Sequence, residues 1–360
     1  MKGVLVTLAF FCVSAASLAC SDETIAPKND DESNLLYVKW FYPSTPVSYK
    51  DQTANAIALQ DRDRGELLWF TPHNVEVADL DPSEDSAIRR NDPVSALEII
   101  YVPSDSADVQ RSWGGLVTAV DEPQEDISGK QYLEVWLNDY IPYERSANRR
   151  GELHIDVGQV SEDAVWDPQT PPLPRNEILD FEDHNLNGGE AEVVEDLGLD
   201  FLRNENEPPP RPGTKTFSYY SATQDPAGDD RNPNPNESAP ENTITQRIAK
   251  YRGINGTEAN QRLDGEDLNG NYQLDQGNAY REYTISLADS AATDNRRDFS
   301  INPQNHQSGW RMYRIALTEF DQEIGGSPNL SRIQNVRVWF RGFAPGDTLD
   351  LQIAGLEFVE

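Results

Sequence analysis

The segment Glu152-Leu153-His154-Ile155-Asp156-Val157 carries an apolar residue at every second position. Successive side chains of a β-strand point to opposite faces, so a period of two is typical of a strand with one buried and one solvated face. We therefore expect Leu153, Ile155 and Val157 to face a core. The polar residues between them should face water, which makes His154 a surface histidine.

The same alternation recurs near the end of the chain, where residues 336–341 alternate Val, Val and Phe with Arg, Trp and Arg. Other segments rich in β-branched and aromatic residues, separated by Gly and Pro, predict further strands. They cover residues 36–41, 66–70, 97–102, 115–120, 132–137, 283–287, 310–317 and 349–359. Helical periodicity is nearly absent. We predict a mainly β fold, an antiparallel β-sandwich and most simply a jelly roll.

The tryptophans admit two interpretations, because jelly rolls fill their cores with buried aromatics and stack exposed ones on sugar rings. We expect Trp113, Trp136 and Trp310 to lie in the core. Trp339 falls on the polar face of its strand, so it is the first candidate for an exposed ligand-binding platform. Trp166 is the second candidate, because it lies beside a stretch of different composition.

That stretch, residues 167–280, is predicted to be a long, loop-rich, acidic insertion. It contains Pro171-Pro172, Pro208-Pro209-Pro210 and several Asn-Gly or Gly-Gly steps, which interrupt strands and helices. A stretch of this length without regular structure is unusual inside a domain unless it is functional or braced. Such a segment should therefore contain residues that brace it.

A calcium-type loop is the sharpest motif in the insertion. Calcium prefers six to eight oxygen ligands, and a short loop supplies them from alternate positions. Side-chain oxygens at positions one, three, five and nine would come from Asp267, Asn269, Asn271 and Asp275. The main-chain carbonyl at position seven would come from Gln273. The pattern resembles dockerin and thrombospondin type 3 loops, although Tyr272 replaces the usual glycine. The alternative is an Asx-rich turn that is held by local hydrogen bonds.

A second cluster begins in the same way, with Asp183, Asn185 and Asn187, but has no well-placed closing acid. Further acids follow that we expect to converge with it, namely Asp196, Asp200, Asp225 and Asp229. Structural Ca²⁺ at these two clusters would brace the insertion. Its removal should then loosen the insertion first, because unpaired acids repel one another.

Composition narrows the possible partners. The 360 residues carry 62 acidic and 30 basic side chains, a net charge of −32. Such a charge repels a phosphate backbone, so nucleic acid is excluded as a partner. It favours metal cations, or a solvated acidic surface in a saline or extracellular setting. Both cysteines, Cys12 and Cys20, fall near the start of the chain, so no disulfide is expected to stabilise the rest.

Residues 1–19 have the features of a secretory signal peptide: Lys2, an apolar run from Val4 to Val13, and small residues before Cys20. Small residues leading into a cysteine resemble the lipobox of bacterial lipoproteins, which implies an acylated Cys20 inserted in a lipid bilayer. The alternative is an ordinary signal peptide with an incidental cysteine. Residues 20–34 are polar and acidic, which is typical of a flexible tether. The protein is therefore predicted to be exported.

Several segments resemble, in consistent order, repeated modules of the SprA family of gliding-motility cell-surface proteins, which serve as translocons of type 9 secretion. They are residues 112–116, 132–137, 153–163, 195–200, 225–230, 310–315 and 353–357. The resemblance implies a galactose-binding-like β-sandwich over residues 93–360, with residues 35–92 as accessory strands packed on it. It covers the module without the translocon barrel, so translocation itself is not implied.

The sequence favours binding over catalysis. The four histidines lack zinc-ligand spacing, and the motifs of serine hydrolases, P-loop proteins and dinucleotide enzymes are absent. We therefore expect a non-catalytic outer-membrane lipoprotein at the cell surface or on the periplasmic face. Its role would be structural, or interaction with an envelope protein, in secretion or gliding. A carbohydrate-binding surface lipoprotein with a glycan partner is the alternative, and a glycoside hydrolase is a distant third.

Overall fold

A computed structural model gives the fold of most of the chain. It describes residues 40–47, 63–72, 75–80, 91, 93–94, 96–104, 110–120, 126–139, 151–164, 177–188, 192–198, 202–207, 224–236, 238–287 and 310–359. The predictions for the signal peptide, the tether, Cys20, Trp166 and Asp200 lie outside these residues. Within them, strands far outnumber helices.

Ten strands and two helices make up the described secondary structure. The strands are β1 (Glu66–Phe70), β2 (Leu97–Val102), β3 (Trp113–Ala119), β4 (Tyr132–Asn138), β5 (Glu152–Gln159), β6 (Ala279–Ser286), β7 (Trp310–Ala316), β8 (Gln322–Ile324), β9 (Asn335–Arg341) and β10 (Leu349–Val359). The helices are α1 (Val77–Leu80) and α2 (Ile244–Tyr251). The predicted strands from residue 66 onward are present, whereas β8 and both helices were not predicted.

The strands form two five-stranded antiparallel sheets. Sheet A has the order β1-β2-β10-β4-β7, and sheet B has the order β3-β9-β5-β6-β8. One apolar core draws on both sheets, so they pack face to face. This confirms the predicted mainly β antiparallel sandwich, whereas the jelly-roll arrangement stays a prediction.

The alternation in β5 correctly predicts which residues enter the core. Leu153, Ile155 and Val157 are almost fully buried, together with Val338 of β9 and Leu351 of β10. Burying one such side chain stabilises a fold by about 1.5–3 kcal/mol. The inner faces of the two sheets therefore supply most of the driving force for folding.

Helix α2 covers part of the outer face of sheet A. Tyr251 at its end stacks on Phe70 of β1, with ring centroids 3.9 Å apart at 20°. The guanidinium of Arg247 lies 2.9 Å from the carboxylate of Glu98 on β2. The helix was missed in the sequence although it carries a start signal: the Thr243 hydroxyl accepts from the Gln246 amide, and the Gln246 side chain accepts from the Thr243 amide.

The outer face of sheet B is also covered, here by residues 40–47. Phe41 and Val117 exchange two backbone hydrogen bonds of 2.9 Å, which adds a short bridge beside β3. The Tyr280 hydroxyl donates to the carbonyl of Val47 at 2.7 Å. The predicted solvated faces of β5 and β9 are therefore wrong, because a segment distant in sequence folds over them.

Charged residues on this covered face are paired across strands. Asp156 and Arg337 are directly opposite in the β5–β9 register and are both fully buried. The Nη2 and Nε atoms of Arg337 each lie 2.7 Å from Oδ2 of Asp156. Removing one partner of a buried ion pair costs about 3–5 kcal/mol, because it leaves an uncompensated charge.

His154 is buried at 1% exposure, so the prediction of a surface histidine is wrong. Its Nε2 lies 3.3 Å from Glu152 and its Nδ1 lies 3.3 Å from Glu282. Burial lowers the pKa of His154, but the hydrogen bonds to the two carboxyl groups outweigh it, so the net pKa is raised above 6.5. The hydrogen bond from His154 brings the pKa of Glu152 down to about 2. Both pKa shifts favour a protonated His154 beside an ionised Glu152.

This network predicts a pH-dependent contribution to stability. A raised histidine pKa stabilises the fold below pH 6.5, and this contribution is lost as the pH rises through the shifted value. We expect the melting temperature of the wild type to fall more steeply above pH 6.5 than that of His154→Gln. The groups facing this ring are Glu152, Glu282, Thr284, Trp339 and Arg341, and they are unchanged in the variant.

Thermal melts between pH 5 and pH 9 test this expectation. His184→Gln serves as the control, because His184 is exposed and lies in the insertion. Parallel pH profiles for the wild type and His154→Gln would contradict the charged pair.

Candidate functional site

The loop predicted from Asp267 to Asp275 brings its polar side chains together. The Asp267 carboxylate accepts backbone hydrogen bonds from Asn271 at 3.1 Å and Tyr272 at 2.6 Å. The side-chain amides of Asn269 and Asn271 both contact Oδ2 of Asp275, at 2.7 and 3.3 Å. Four of the five predicted ligands therefore gather within one short turn, with carboxylate oxygens at its start and its end.

The second loop has the same internal geometry. The Asp183 carboxylate accepts from the amides of Asn187 at 2.9 Å and Gly188 at 3.0 Å. The Asn185 side-chain amide donates to Glu195 at 2.6 Å. Glu195 thus takes the place that Asp275 holds in the first loop. The sequence showed no closing acid for this cluster, because Glu195 lies farther along the chain than the motif requires.

Both loops use left-handed backbone conformations at matching positions. The fourth and sixth positions are Leu186 (φ 55°) and Gly188 (φ 62°) in one loop, and Gly270 (φ 69°) and Tyr272 (φ 58°) in the other. A residue with a side chain costs about 1–3 kcal/mol in this region. Leu186 and Tyr272 are therefore held there by the carboxylate hydrogen bonds, and the two loops share one backbone design.

A local two-fold arrangement relates the loops. Phe181 and Gly265, each two residues before a loop, form an antiparallel bridge. The amide of Glu182 donates to the carbonyl of Asp264 at 3.0 Å, and the amide of Glu266 donates to the carbonyl of Asp180 at 2.9 Å. The two loops are therefore joined back to back as a pair.

Two glutamates that the sequence analysis missed support this pair. Glu182 accepts from Asp264 at 2.9 Å, and Glu266 accepts from Asp180 at 3.3 Å, so the two-fold relation extends to their side chains. The sequence does contain the signal, because Asp-x-Glu-Asp-x-Asn-x-Asn occurs at residues 180–187 and again at 264–271. This eight-residue repeat extends beyond the metal-ligand positions, so those positions alone do not reveal it.

Buried carboxylates also tie the pair to its surroundings. Glu182 accepts from the amides of Leu197 at 2.8 Å and Gly198 at 3.0 Å. Glu162, just after β5, accepts from Leu268 at 3.0 Å and Asp275 at 3.0 Å. Burial raises the pKa of Glu182 and of Glu162 to about 7, although the backbone donors oppose the shift.

A third group of acids lies elsewhere in the insertion. One carboxylate oxygen from each of Glu207, Asp229 and Glu258 lies within 4.8 Å of the others. Asp225 is fully buried and accepts from the amide of Asp229 at 3.1 Å. The predicted ligands Asp225 and Asp229 therefore do approach each other. Their neighbours Glu207 and Glu258 were missed, because no spacing motif links residues so far apart.

Asp196, predicted as a metal ligand, accepts backbone hydrogen bonds, and its role toward a metal stays a prediction. Its carboxylate accepts from the amides of Asn260 at 3.3 Å and Gln261 at 2.9 Å, so it holds a neighbouring segment in place. The segment that carries Asp196 also approaches the third group of acids, because the backbone of Gly198 lies directly against the Asp229 carboxylate. A β-carbon at Gly198 would come within 2.4 Å of that carboxylate, and φ there is 78°.

The predicted platform at Trp339 is wrong. Its side chain is fully buried and stacks on His154, with ring centroids 3.9 Å apart at 15°. It packs beside Trp113, which is buried as predicted. Trp339 lies on β9, between β3 and β5, so it is covered with the rest of this face and offers no ring to a ligand.

Comparison with known proteins adds no family to this description. No family model matches the chain, and no curated protein matches it. In the part of the chain that the structure describes, no helix is long and apolar enough to cross a membrane.

Glu182→Ala tests the role of the buried glutamates. It removes the acceptor for three backbone amides, and leaving a buried amide without a partner costs about 1–3 kcal/mol. We expect faster hydrogen exchange at Leu197, Gly198 and Asp264 and a lower melting temperature. Glu192→Ala is the matched control, because Glu192 is exposed in the same segment. Equal exchange in the two variants would show that Glu182 does not hold the insertion.

Proposed function

We propose that this protein is a non-catalytic, lipid-anchored module of the outer cell envelope whose insertion is braced by Ca²⁺ and contacts a partner. The observation that carries the proposal is the back-to-back pair of Asp-x-Asn-x-Asn loops. The two loops share one backbone conformation and are joined by a β-bridge and by the side chains of Glu182 and Glu266. They form a repeated structure in a segment that is built mainly from turns.

The chemistry of the donor set suits calcium. Ca²⁺ takes oxygen ligands, and each loop offers carboxylate and amide oxygens close together. Asp267, Asn269, Asn271 and Asp275, with the carbonyl of Gln273, would hold one ion. Asp183, Asn185, Asn187 and Glu195 would hold a second, and Glu207, Asp229 and Glu258 a third. A bound cation would offset the electrostatic repulsion among the acidic side chains of each cluster.

The surface of the insertion supports an interaction role. The large apolar side chains that are most exposed in the described residues all lie in the insertion, at Ile178, Leu186, Val193, Val194 and Tyr272. Val193 and Val194 are adjacent and are 81% and 69% exposed. Exposed apolar groups on a braced loop are typical of a contact surface.

Binding is favoured over catalysis by the position of the titratable groups in the sandwich. His154, Asp156 and Glu282 form the cluster that most resembles an acid–base site, yet each is at most 1% exposed. In the described structure this cluster therefore offers a substrate no exposed acid or base. The cluster therefore suits stabilisation of the covered face.

The envelope setting rests on the sequence. The signal-like residues 1–19 and the lipobox-like Cys20 support export and anchoring in a bilayer. The resemblance to SprA modules supports a role at the cell surface or the periplasmic face, linked to secretion or gliding. Calcium bracing is compatible with these compartments, where this ion is abundant.

Calcium binding predicts a higher melting temperature with Ca²⁺ than with EDTA. An ion at one hundred times its dissociation constant stabilises a fold by about 2.7 kcal/mol per site. The double variant Asp183→Ala, Asp267→Ala should lose most of this difference. Asp347→Ala is the control, because Asp347 is exposed in the β9–β10 loop. An equal melt with and without Ca²⁺ would refute the bracing role.

Acylation of Cys20 predicts that the protein fractionates with membranes. Cys20→Ser should shift it to the soluble fraction and remove the acyl mass detected by mass spectrometry, because the thiol carries the lipid. Asp347→Ala is a suitable control for expression, because Asp347 is exposed in the β9–β10 loop. Membrane association that survives Cys20→Ser would contradict the anchor.

A further inference from the structure

We propose that a cleft at the edge of the sandwich binds the pyranose ring of a glycan. The inference rests on the proposed binding role and names its ligand class. The cleft has a volume of about 80 Å³, which is smaller than a whole sugar ring, so one face of the ring would enter it while the rest stayed in solvent. It lies where residues 40–42 and β1 meet the insertion.

One side of the cleft is aromatic. It is lined by Trp40, Phe41, Tyr42 and Trp69. Trp40 and Trp69 are each 5% exposed and form its deeper part, whereas Phe41 and Tyr42 are partly exposed. Tyr42 meets Trp69 edge to face, with ring centroids 5.3 Å apart at 81°. An aromatic surface of this kind suits the apolar C–H face of a sugar ring.

The opposite side is polar and comes from the insertion. Asn255 lines this side, and its amide oxygen accepts from the backbone of Trp69 at 3.0 Å, which fixes the position of its side chain. Asp264 accepts from the side chain of Asn260 at 2.5 Å, and Arg262 completes the rim. Planar amide, carboxylate and guanidinium groups are the partners that hydroxyl groups need.

The cleft is held open by backbone structure. The amide of Arg231 donates to the carbonyl of Glu258 at 3.0 Å, and the amide of Thr257 donates to the carbonyl of Asp229 at 2.8 Å. Between them, a β-carbon at Gly256 would come within 2.4 Å of the Arg231 nitrogen. Glycine is therefore required for this close approach, and the polar wall is fixed before a ligand arrives.

The charge of the cleft favours a sugar over a strongly anionic ligand. Burial raises the pKa of Asp264 to about 6, although the hydrogen bond from Asn260 and the nearby charges of Arg262 and Arg231 oppose the shift, so positive and negative charges meet in the cleft. The cleft would offer a phosphate group no surplus of positive charge, and the chain carries a net charge of −32. A ring with one apolar face and several hydroxyl groups matches both walls.

The test uses the full-length protein, solubilised in detergent with Ca²⁺. An array of neutral and acidic glycans identifies ligands, and fluorescence titration then measures affinity, because Trp40 and Trp69 line the cleft. Tyr42→Ala should weaken binding by about tenfold, and Tyr42→Phe by less than about threefold, because the ring is retained.

A second pair of variants addresses the polar wall. Arg262→Ala should weaken binding by about tenfold, whereas Arg314→Ala should not, because Arg314 lies on β7 away from the cleft. Circular dichroism checks that each variant is folded. Failure of every glycan to bind the wild type, or binding by Tyr42→Ala and Arg262→Ala that is as tight as that of the wild type, would overturn the proposal. Melts with EDTA test calcium bracing separately, so either idea can fail alone.

Discussion

The insertion depends on buried carboxylates that accept hydrogen bonds from backbone amides. Glu162, Glu182, Glu266, Asp196 and Asp225 each accept two or more such bonds. A segment built from turns leaves many amides without a strand or helix partner, and each buried amide needs an acceptor. A carboxylate has two oxygens and can satisfy several amides at once. Acidic side chains therefore replace much of the apolar core that the loops lack.

This solution has an electrostatic cost, because it gathers like charges. The pKa of Glu182 is raised first by burial, then by the nearby charges of Asp264 and Asp196. Such a group is stable while its backbone donors stay in place, and it becomes a source of repulsion when they move. The two paired loops both gather acidic side chains, and both do so with the same backbone conformation. Cation binding there would remove repulsion at the points where the acidic side chains are densest.

The sequence predicted the strands well because strand signals are local. Alternation in β5 identified its core residues, and aromatic and β-branched runs identified most other strands. The covered outer faces were not predictable in this way; on sheet B, Ser44 and Val47 contact β9 and β6 from more than two hundred residues away. His154 and Trp339 were misplaced because they are buried against each other and against side chains of neighbouring strands, which alternation along one strand does not show. Polar residues on a strand indicate its outer face, and they do not show whether that face is solvated.

In the candidate site, too, residues that are close in sequence were predicted and residues that are far apart were not. Asp267 and Asp183 were found from spacing within single loops. Glu207 and Glu258 were not, because the chain brings them together only after folding. The helix α2 was overlooked because Pro and Gly dominate its surroundings, although its Thr243–Gln246 capping box is visible in the sequence. The repeat of Asp-x-Glu-Asp-x-Asn-x-Asn was also visible, and comparing the two clusters over a longer window would have revealed it.

The third acid group and the cleft are built on the same pair of backbone segments. Asp229 and Glu258 belong to the acid group, and Arg231 and Gly256 lie at the cleft, on residues 229–231 and 256–258. A cation that fixes these segments would lower the ordering cost of ligand binding in the cleft. Thermodynamic linkage then requires the ligand to raise the affinity for the cation by the same factor. Calcium bracing and recognition would therefore be coupled through two short segments in direct hydrogen-bond contact.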